Sequence, residues 1–120
     1  MDLEIINVEG KGEIEKECLW LKATNDIPDL VYYIVSDTTY TDDKHISNEL
    51  RHIFWFPHNS QVKAGDWVKL VTNDGKNTSF TNRSNTTTYV YHWKLGRTVW
   101  NKGKDQAVLF KVDTWTSKAV

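Results

Sequence analysis

Three of the six tryptophans in this 120-residue chain are candidates for a binding surface: Trp20, Trp55 and Trp67. Trp20 and Trp55 are flanked by apolar residues that a strand would bury, and Trp67 precedes two more at alternating positions: Leu19, Leu21, Phe54, Phe56, Val68 and Leu70. Because successive side chains of a strand point to opposite faces, burial of these neighbours turns the three indole rings outward. Outward aromatic rings bind sugars, peptides or another subunit. Alternatively, the polar loops 37–50 or 73–88 fold over the rings.

A basic patch in the second half of the chain is the other candidate site. Residues 1–60 carry 5 basic and 12 acidic side chains, whereas residues 61–120 carry 10 basic and 4 acidic ones. These charges either pair across neighbouring strands or leave a local patch that contacts anions or an acidic partner. The patch would consist of Lys76, Arg83, Lys94, Arg97, Lys102 and Lys104. The net charge of −1 excludes a generally polycationic nucleic-acid binder, and nucleic acid is not the expected partner.

The remaining reactive residue types show no pattern typical of catalysis or of a metal site. The four histidines lack the paired spacing of a zinc hydrolase: His45, His52, His58 and His92. Three aspartates share one segment, without the alternation that wraps calcium, and are expected to be solvated: Asp37, Asp42 and Asp43. The single cysteine, Cys18, excludes an internal disulfide and is expected to be a small strand residue. We therefore expect a non-enzymatic protein with neither metal nor cofactor.

The composition favours strands as the elements that position these residues. Val, Ile, Thr and the aromatic residues total 46 of 120, whereas alanine contributes four. We predict one all-β domain over residues 1–120, an immunoglobulin-like β-sandwich of about eight strands. The predicted strands are residues 3–8, 17–24, 30–36, 52–57, 66–72, 89–94, 97–101 and 106–112.

The turn-forming residues and the polar segments predict where the strands are connected. Gly65 is predicted to take a positive φ in the turn before the 66–72 strand. The long polar segment 37–50 is predicted to hold a short helical turn around residues 46–50. Residues 73–88 contain eleven Asn, Ser or Thr in sixteen and predict a mobile surface loop. Residues 102–105 predict a hairpin connection.

Several segments, taken in order, resemble a known family. They are Leu3-Glu4-Ile5, Leu19-Trp20-Leu21-Lys22, Phe54-Trp55-Phe56-Pro57, Val62-Lys63-Ala64-Gly65, Trp67–Val71 and Arg97–Val108. Together they resemble a lamin tail domain over most of the chain. The resemblance implies an immunoglobulin-like fold and a non-enzymatic interaction role, and it brings no catalytic residue. Because a preceding coiled-coil rod and a nuclear-localisation run are missing, the chain looks most similar to a free-standing bacterial or phage-borne member.

The expected function is that of a protein-interaction or self-assembly module, whose partner is an unknown protein or a second copy. The alternative is a carbohydrate-binding module that uses the same outward tryptophans to stack on a glycan. No apolar run reaches 18 residues and no signal sequence is present, so no membrane span is expected. The chain as written is expected to be cytoplasmic, or exported if it is cut from a longer precursor.

Overall fold

A computed structural model describes residues 1–39, 45–46, 49–100 and 105–120, and these form an all-β fold, as predicted. One 3-10 turn, Leu30–Tyr32, accompanies the strands. In chain order the strands are β1 (Leu3–Glu9), β2 (Cys18–Ala23), β3 (Tyr33–Thr39), β4 (Ile53–Trp55), β5 (Trp67–Val71), β6 (Thr78–Thr81), β7 (Thr87–His92) and β8 (Asp105–Lys111).

Two sheets pack against each other around one hydrophobic core. The larger sheet has the strand order β1-β2-β5-β7-β6, and the smaller has the order β4-β3-β8. Neighbouring strands are antiparallel, except that β5 and β7 run parallel. Since the chain crosses between the sheets after β2, β4 and β7, each sheet contains strands from both halves of the sequence. Side chains from both sheets form the core, among them Leu19, Leu21, Val68, Leu70, Tyr33 and Val35.

The alternation predicted for β2 and β5 is confirmed. Leu19, Leu21 and Val68 are fully buried. Trp20 and Trp67 lie on the opposite face of the same sheet and are partly exposed. The period of two in the sequence therefore identified the inner and outer faces of these two strands correctly.

The strand predicted over residues 30–36 begins later than expected. Residues 30–32 form the 3-10 turn because the Asp29 carboxylate accepts the backbone N–H of Val31 at 3.0 Å, and β3 starts only at Tyr33. Burial works to raise the pKa of Asp29, but backbone N–H donors such as that of Val31 outweigh it and lower the pKa overall.

In the predicted helical turn at 46–50, residues 47–48 lie outside the described part of the chain, and residues 46, 49 and 50 are not helical.

The prediction that residues 73–88 form a mobile loop is wrong. This stretch contains β6 and the beginning of β7, which pair in register from Thr78 with Val90 to Thr81 with Thr87. The preceding turn lies so close to β7 that a Cβ added at Gly75 would overlap the imidazole of His92. Polar composition misled the prediction because threonine and serine fit a pleated, exposed edge strand as well as a loop.

Residues 97–100 do not form the predicted strand. The fully buried Glu17 carboxylate accepts the backbone N–H groups of Val99 at 2.9 Å and Trp100 at 3.0 Å, and that of Gly12 at 3.2 Å. These donors are therefore satisfied by a side chain rather than by a neighbouring strand. Residue 101 and most of the predicted hairpin at 102–105 lie outside the described residues.

Cys18 is buried in β2, as expected for a small strand residue, and its burial raises the pKa of the thiol. We expect the native thiol to react with an aromatic disulfide reagent more than about a hundredfold more slowly than the urea-unfolded chain, because the thiolate is both scarce and inaccessible. Absorbance of the released thiol, followed over time in the two states, measures this ratio. Equal rates in both states would show that the thiol is accessible in the native fold.

Candidate binding groove

A surface groove of about 500 Å³ lies on the outer face of the larger sheet and contains two of the predicted tryptophans, Trp20 and Trp67. Strand pairing brings them together, because Trp20 lies opposite Lys69 and Trp67 lies opposite Lys22 in the β2–β5 ladder. The groove has the volume of a small ligand site. Its other lining residues are Ile6, Asn7, Glu9, Phe80, Asn82, Arg83, Ser84 and Thr88.

The two indole rings meet edge to face at the floor of the groove. Their centroids are 5.9 Å apart and their planes are inclined by 88°. Each ring also contacts a lysine from the neighbouring strand, with the Lys22 ammonium 5.1 Å from the Trp67 centroid and the Lys69 ammonium 5.3 Å from that of Trp20. These cation–π contacts hold the rings in place and leave an aromatic floor edged by positive charge.

One wall of the groove is an ordered turn built on Asn82. The Asn82 side-chain oxygen accepts the backbone N–H groups of Ser84 at 3.0 Å and Thr86 at 3.1 Å. The amide nitrogen of Asn82 donates to the hydroxyls of Thr86 at 2.8 Å and Thr88 at 3.1 Å. Thr88 is buried although it points outward, so the turn folds back over the sheet. Part of the segment expected to be a mobile loop therefore shapes the groove.

The strand that leads into this turn is β6, an edge strand of the larger sheet that pairs only with β7 among the described strands. All four of its residues are exposed, and Phe80 is 50% exposed beside the groove. An edge strand offers backbone N–H and C=O groups to another chain. Sequence reasoning missed β6 and so missed Phe80, although the Thr-Ser-Phe-Thr run has the β-propensity of a strand.

Trp55 does not belong to the groove, since it lies in β4 of the smaller sheet. Its ring is 45% exposed and its indole N–H donates to the carbonyl of Val31 at 2.7 Å. The ring that contacts it is Trp115, with centroids 5.1 Å apart, and Trp115 also contacts Tyr32 at 5.6 Å. The three predicted tryptophans therefore lie on two separate surfaces, and the segment after β8 provides the aromatic partner of Trp55.

Replacing Trp115 with alanine is expected to expose Trp55 while leaving the fold intact. Loss of the aromatic contacts should lower the free energy of unfolding by about 1 kcal/mol and raise acrylamide quenching of the Trp55 emission. The Trp55 contribution is measured as the difference between this variant and the Trp55→Phe, Trp115→Ala double variant. Trp115→Phe is the matched control and should retain most of the shielding. Unchanged quenching in Trp115→Ala would show that Trp115 does not shield Trp55.

The structure distributes the predicted basic patch over different parts of the fold. Arg83 lies in the turn before β7, whereas Lys94 follows the end of β7, and a strand of this length separates its ends by about 16 Å. Lys76 is at the same end as Lys94, because its neighbour Asn77 accepts the backbone N–H of His92 at 2.9 Å. Lys102 and Lys104 lie outside the described residues. The alternative was that these charges pair across neighbouring strands. Between described strands there is no lysine–carboxylate ion pair, and the pair Lys16–Glu13 joins residues of one loop.

Arg97 contacts a histidine rather than the other basic residues. Its guanidinium lies 3.1 Å from Nε2 of His52, whose Nδ1 is 3.0 Å from the Asp37 carboxylate. Asp37 is only 2% exposed and belongs to β3, so the expectation that it is a solvated loop acid is wrong. Asp42 and Asp43 lie outside the described residues, and within the described part no group of three or more potential ligands could hold a metal ion.

Comparisons of the chain with protein-family models, with curated proteins and with solved structures found no match. Within the described ranges, no helix is long and apolar enough to cross a bilayer. The function is therefore argued from the geometry of the groove and of the strand beside it.

Proposed function

We propose that this protein is a non-enzymatic binding module that takes an extended, acidic protein segment along β6, with an apolar side chain of that segment packed against Phe80 at the margin of the groove. The observation that carries this proposal is the position of β6, whose outer edge pairs with no described strand, directly beside an aromatic groove. In this mode, main-chain hydrogen bonds to the edge supply affinity, and contacts with Phe80 supply side-chain specificity.

The edge of β6 is short, but it lacks three of the features that usually prevent strand addition. The strand Thr78–Thr81 contains neither a charged residue nor a proline, and its pairing with β7 is regular, without a bulge. Phe80 stands on the outer face with Trp67, because both lie opposite Thr88 in their ladders. A partner strand added at this edge would therefore place alternate side chains beside Phe80, next to the groove.

Charge favours an acidic segment over a second copy of the chain. Lys76 precedes β6 by two residues and Arg83 follows it by two, so the edge is flanked by positive charge. If two copies joined antiparallel through β6, the free edges and side-chain faces would match only between residues of the same parity, for example Thr78 with Phe80, so Lys76 of each copy would lie opposite Asn82 and next to Arg83 of the other. Like charges this close on neighbouring strands repel each other, whereas glutamates or aspartates of a partner strand would complement both Lys76 and Arg83.

A synthetic peptide of alternating valine and glutamate, with an alternating valine and lysine peptide as its counterpart, tests the proposal. We expect the acidic peptide to change tryptophan emission saturably and to shift the backbone amide signals of β6, with weaker binding at higher salt. Phe80→Ala should weaken binding at least about tenfold. Phe110→Ala is the matched control, since Phe110 is also exposed and lies in β8 of the other sheet. Equal binding of both peptides, or no effect of Phe80→Ala, would contradict the proposal.

A carbohydrate ligand is the second candidate, favoured by the polar groups around the same aromatic floor. The Asn7 amide, the Glu9 carboxylate and the Arg83 guanidinium all line the groove, and such groups hydrogen-bond to sugar hydroxyls. A soluble oligosaccharide that changes tryptophan emission without shifting the β6 amides, and whose binding is insensitive to salt, would favour this candidate over the peptide.

We also propose that the fold is an immunoglobulin-like sandwich related to lamin tail domains. Two packed sheets with repeated crossovers between them support this assignment, as do the ordered sequence segments that resemble that family. The parallel β5–β7 pair is the feature that departs most from the antiparallel sheets of an immunoglobulin-like domain. An experimental structure superimposed on lamin tail domains tests the assignment, and a different strand order would overturn it.

A further inference from the structure

Asp37, His52 and Arg97 form a chain of polar contacts that no part of the groove uses. One oxygen of the Asp37 carboxylate accepts the backbone N–H of His52 at 2.8 Å and lies 3.0 Å from its ring Nδ1. The other ring nitrogen, Nε2, lies 3.1 Å from Nη2 of Arg97. Asp37 belongs to β3, His52 immediately precedes β4, and Arg97 follows β7, so residues from both halves of the chain converge here.

The hydrogen-bonding capacity of the three groups assigns the tautomer of His52. An ionised carboxylate only accepts, so Nδ1 of His52 carries the proton that is donated to Asp37. A guanidinium only donates, so Nε2 of the neutral ring accepts from Arg97. The buried carboxylate thus fixes the orientation of the ring and points Nε2 toward Arg97 and the surface. The side chain of His52 is 24% exposed, and Arg97 is exposed.

Protonation of Nε2 changes what this pair can bind. The ring then donates from both nitrogens, and Nε2 and Arg97 become two donors that face each other with like charge. An oxyanion that bridges the two groups from the solvent side accepts from both, and the guanidinium can offer two parallel N–H groups to it. Between described residues, Arg97 forms no ion pair with a carboxylate. Its charge is therefore not already neutralised by a described side chain.

We infer that His52 and Arg97 form a binding site for a phosphate or sulfate group, and that this group binds together with one proton taken up from solvent at Nε2 of His52. Asp37 acts as the positioning residue, since it orients the ring and provides the negative charge behind it. Among the described residues, the charged groups that contact His52 are Asp37 from β3 and Arg97 from the segment after β7, and Arg51 is its neighbour in the chain. By linkage, the affinity for the anion falls as pH rises.

Titration with sodium sulfate tests the inference, because sulfate keeps its double charge at pH values where histidines titrate. The probe is the ring Cε1–H signal of His52 in an NMR spectrum, with sodium chloride at equal ionic strength as the reference. We expect a saturable shift in the low millimolar range at about pH 5.5, and binding at least about tenfold weaker at about pH 8. Inorganic phosphate and O-phosphoserine then distinguish a free ion from a phosphate group on a larger molecule, according to which binds more tightly.

Three variants separate this site from a general effect of charge. Arg97→Gln should weaken sulfate binding at about pH 5.5 at least about fivefold, and His52→Gln should remove the dependence on pH. Lys63→Gln, which removes one positive charge from an exposed position, should leave binding unchanged. The inference is overturned if sulfate causes no saturable shift beyond that of chloride, or if Arg97→Gln and Lys63→Gln bind sulfate equally.

Discussion

Replacing Glu17 with glutamine is expected to remove roughly 2–4 kcal/mol from the free energy of unfolding, a large part of the stability of a typical domain. The carboxylate is fully buried and accepts three backbone N–H groups, those of Gly12, Val99 and Trp100. Glutamine keeps one acceptor oxygen but presents an NH₂ group where a second acceptor is needed, so at least one buried N–H faces another donor. Urea unfolding followed by tryptophan emission measures the loss.

The matched control for this prediction is Glu15→Gln, two residues away in the same loop and exposed. Its effect on the free energy of unfolding should stay within about 0.5 kcal/mol. Hydrogen exchange at the Val99 and Trp100 amides gives a local readout, because both amides lose their charged acceptor in Glu17→Gln and should exchange faster. Equal stability of the two variants would show that the three hydrogen bonds contribute little.

The contact of Glu17 with residues 97–100 is a part of the fold that could not be predicted from the sequence. The alternation of β2 and β5 was predicted correctly because a period of two is a local property of neighbouring residues. The path of residues 97–100 depends instead on a carboxylate more than eighty positions earlier in the chain. Hydrophobic periodicity carries no information on such a contact, so a strand was predicted where a side chain satisfies the backbone.

The candidate site was predictable in part for the same reason. Alternation placed Trp20 and Trp67 on one outer face, but it could not separate them from Trp55, because the assignment of β4 to the other sheet is a matter of topology. The wall at Asn82 depends on five side-chain hydrogen bonds within a segment whose composition is typical of a loop. Phe80 was missed together with β6, because the polar residues around it concealed the strand.

Asp37 and His52 illustrate a second kind of omission. The spacing of histidines and acids was compared with that of metal and catalytic motifs, which are local patterns. These two residues are brought together by the pairing of β3 with β4, and Arg97 joins them from a crossover segment. Their chemistry depends on tertiary contacts, and no spacing rule for a single segment detects it.

Replacing Gly65 with valine is the second substitution expected to have a large effect. Gly65 has a φ of +89°, which confirms the positive value predicted from the sequence, and a β-branched residue resists this region strongly. Its backbone N–H donates to the carbonyl of Ala23 at 2.9 Å, so the turn cannot easily relax away from β2. A Cβ at this position would also lie 3.3 Å from the Thr86 methyl group. Backbone strain and crowding together should cost roughly 2–4 kcal/mol.

Ala64→Val separates backbone strain from the effect of adding a β-branched side chain to this turn, because Ala64 is the adjacent residue, is exposed and has no positive φ. It should change the free energy of unfolding by less than about 1 kcal/mol. Thermal unfolding of both variants, followed by circular dichroism, gives the comparison. If Gly65→Val were no less stable than Ala64→Val, the left-handed turn would not be a requirement of this fold. The expected difference would instead show that the connection into β5 depends on glycine at residue 65.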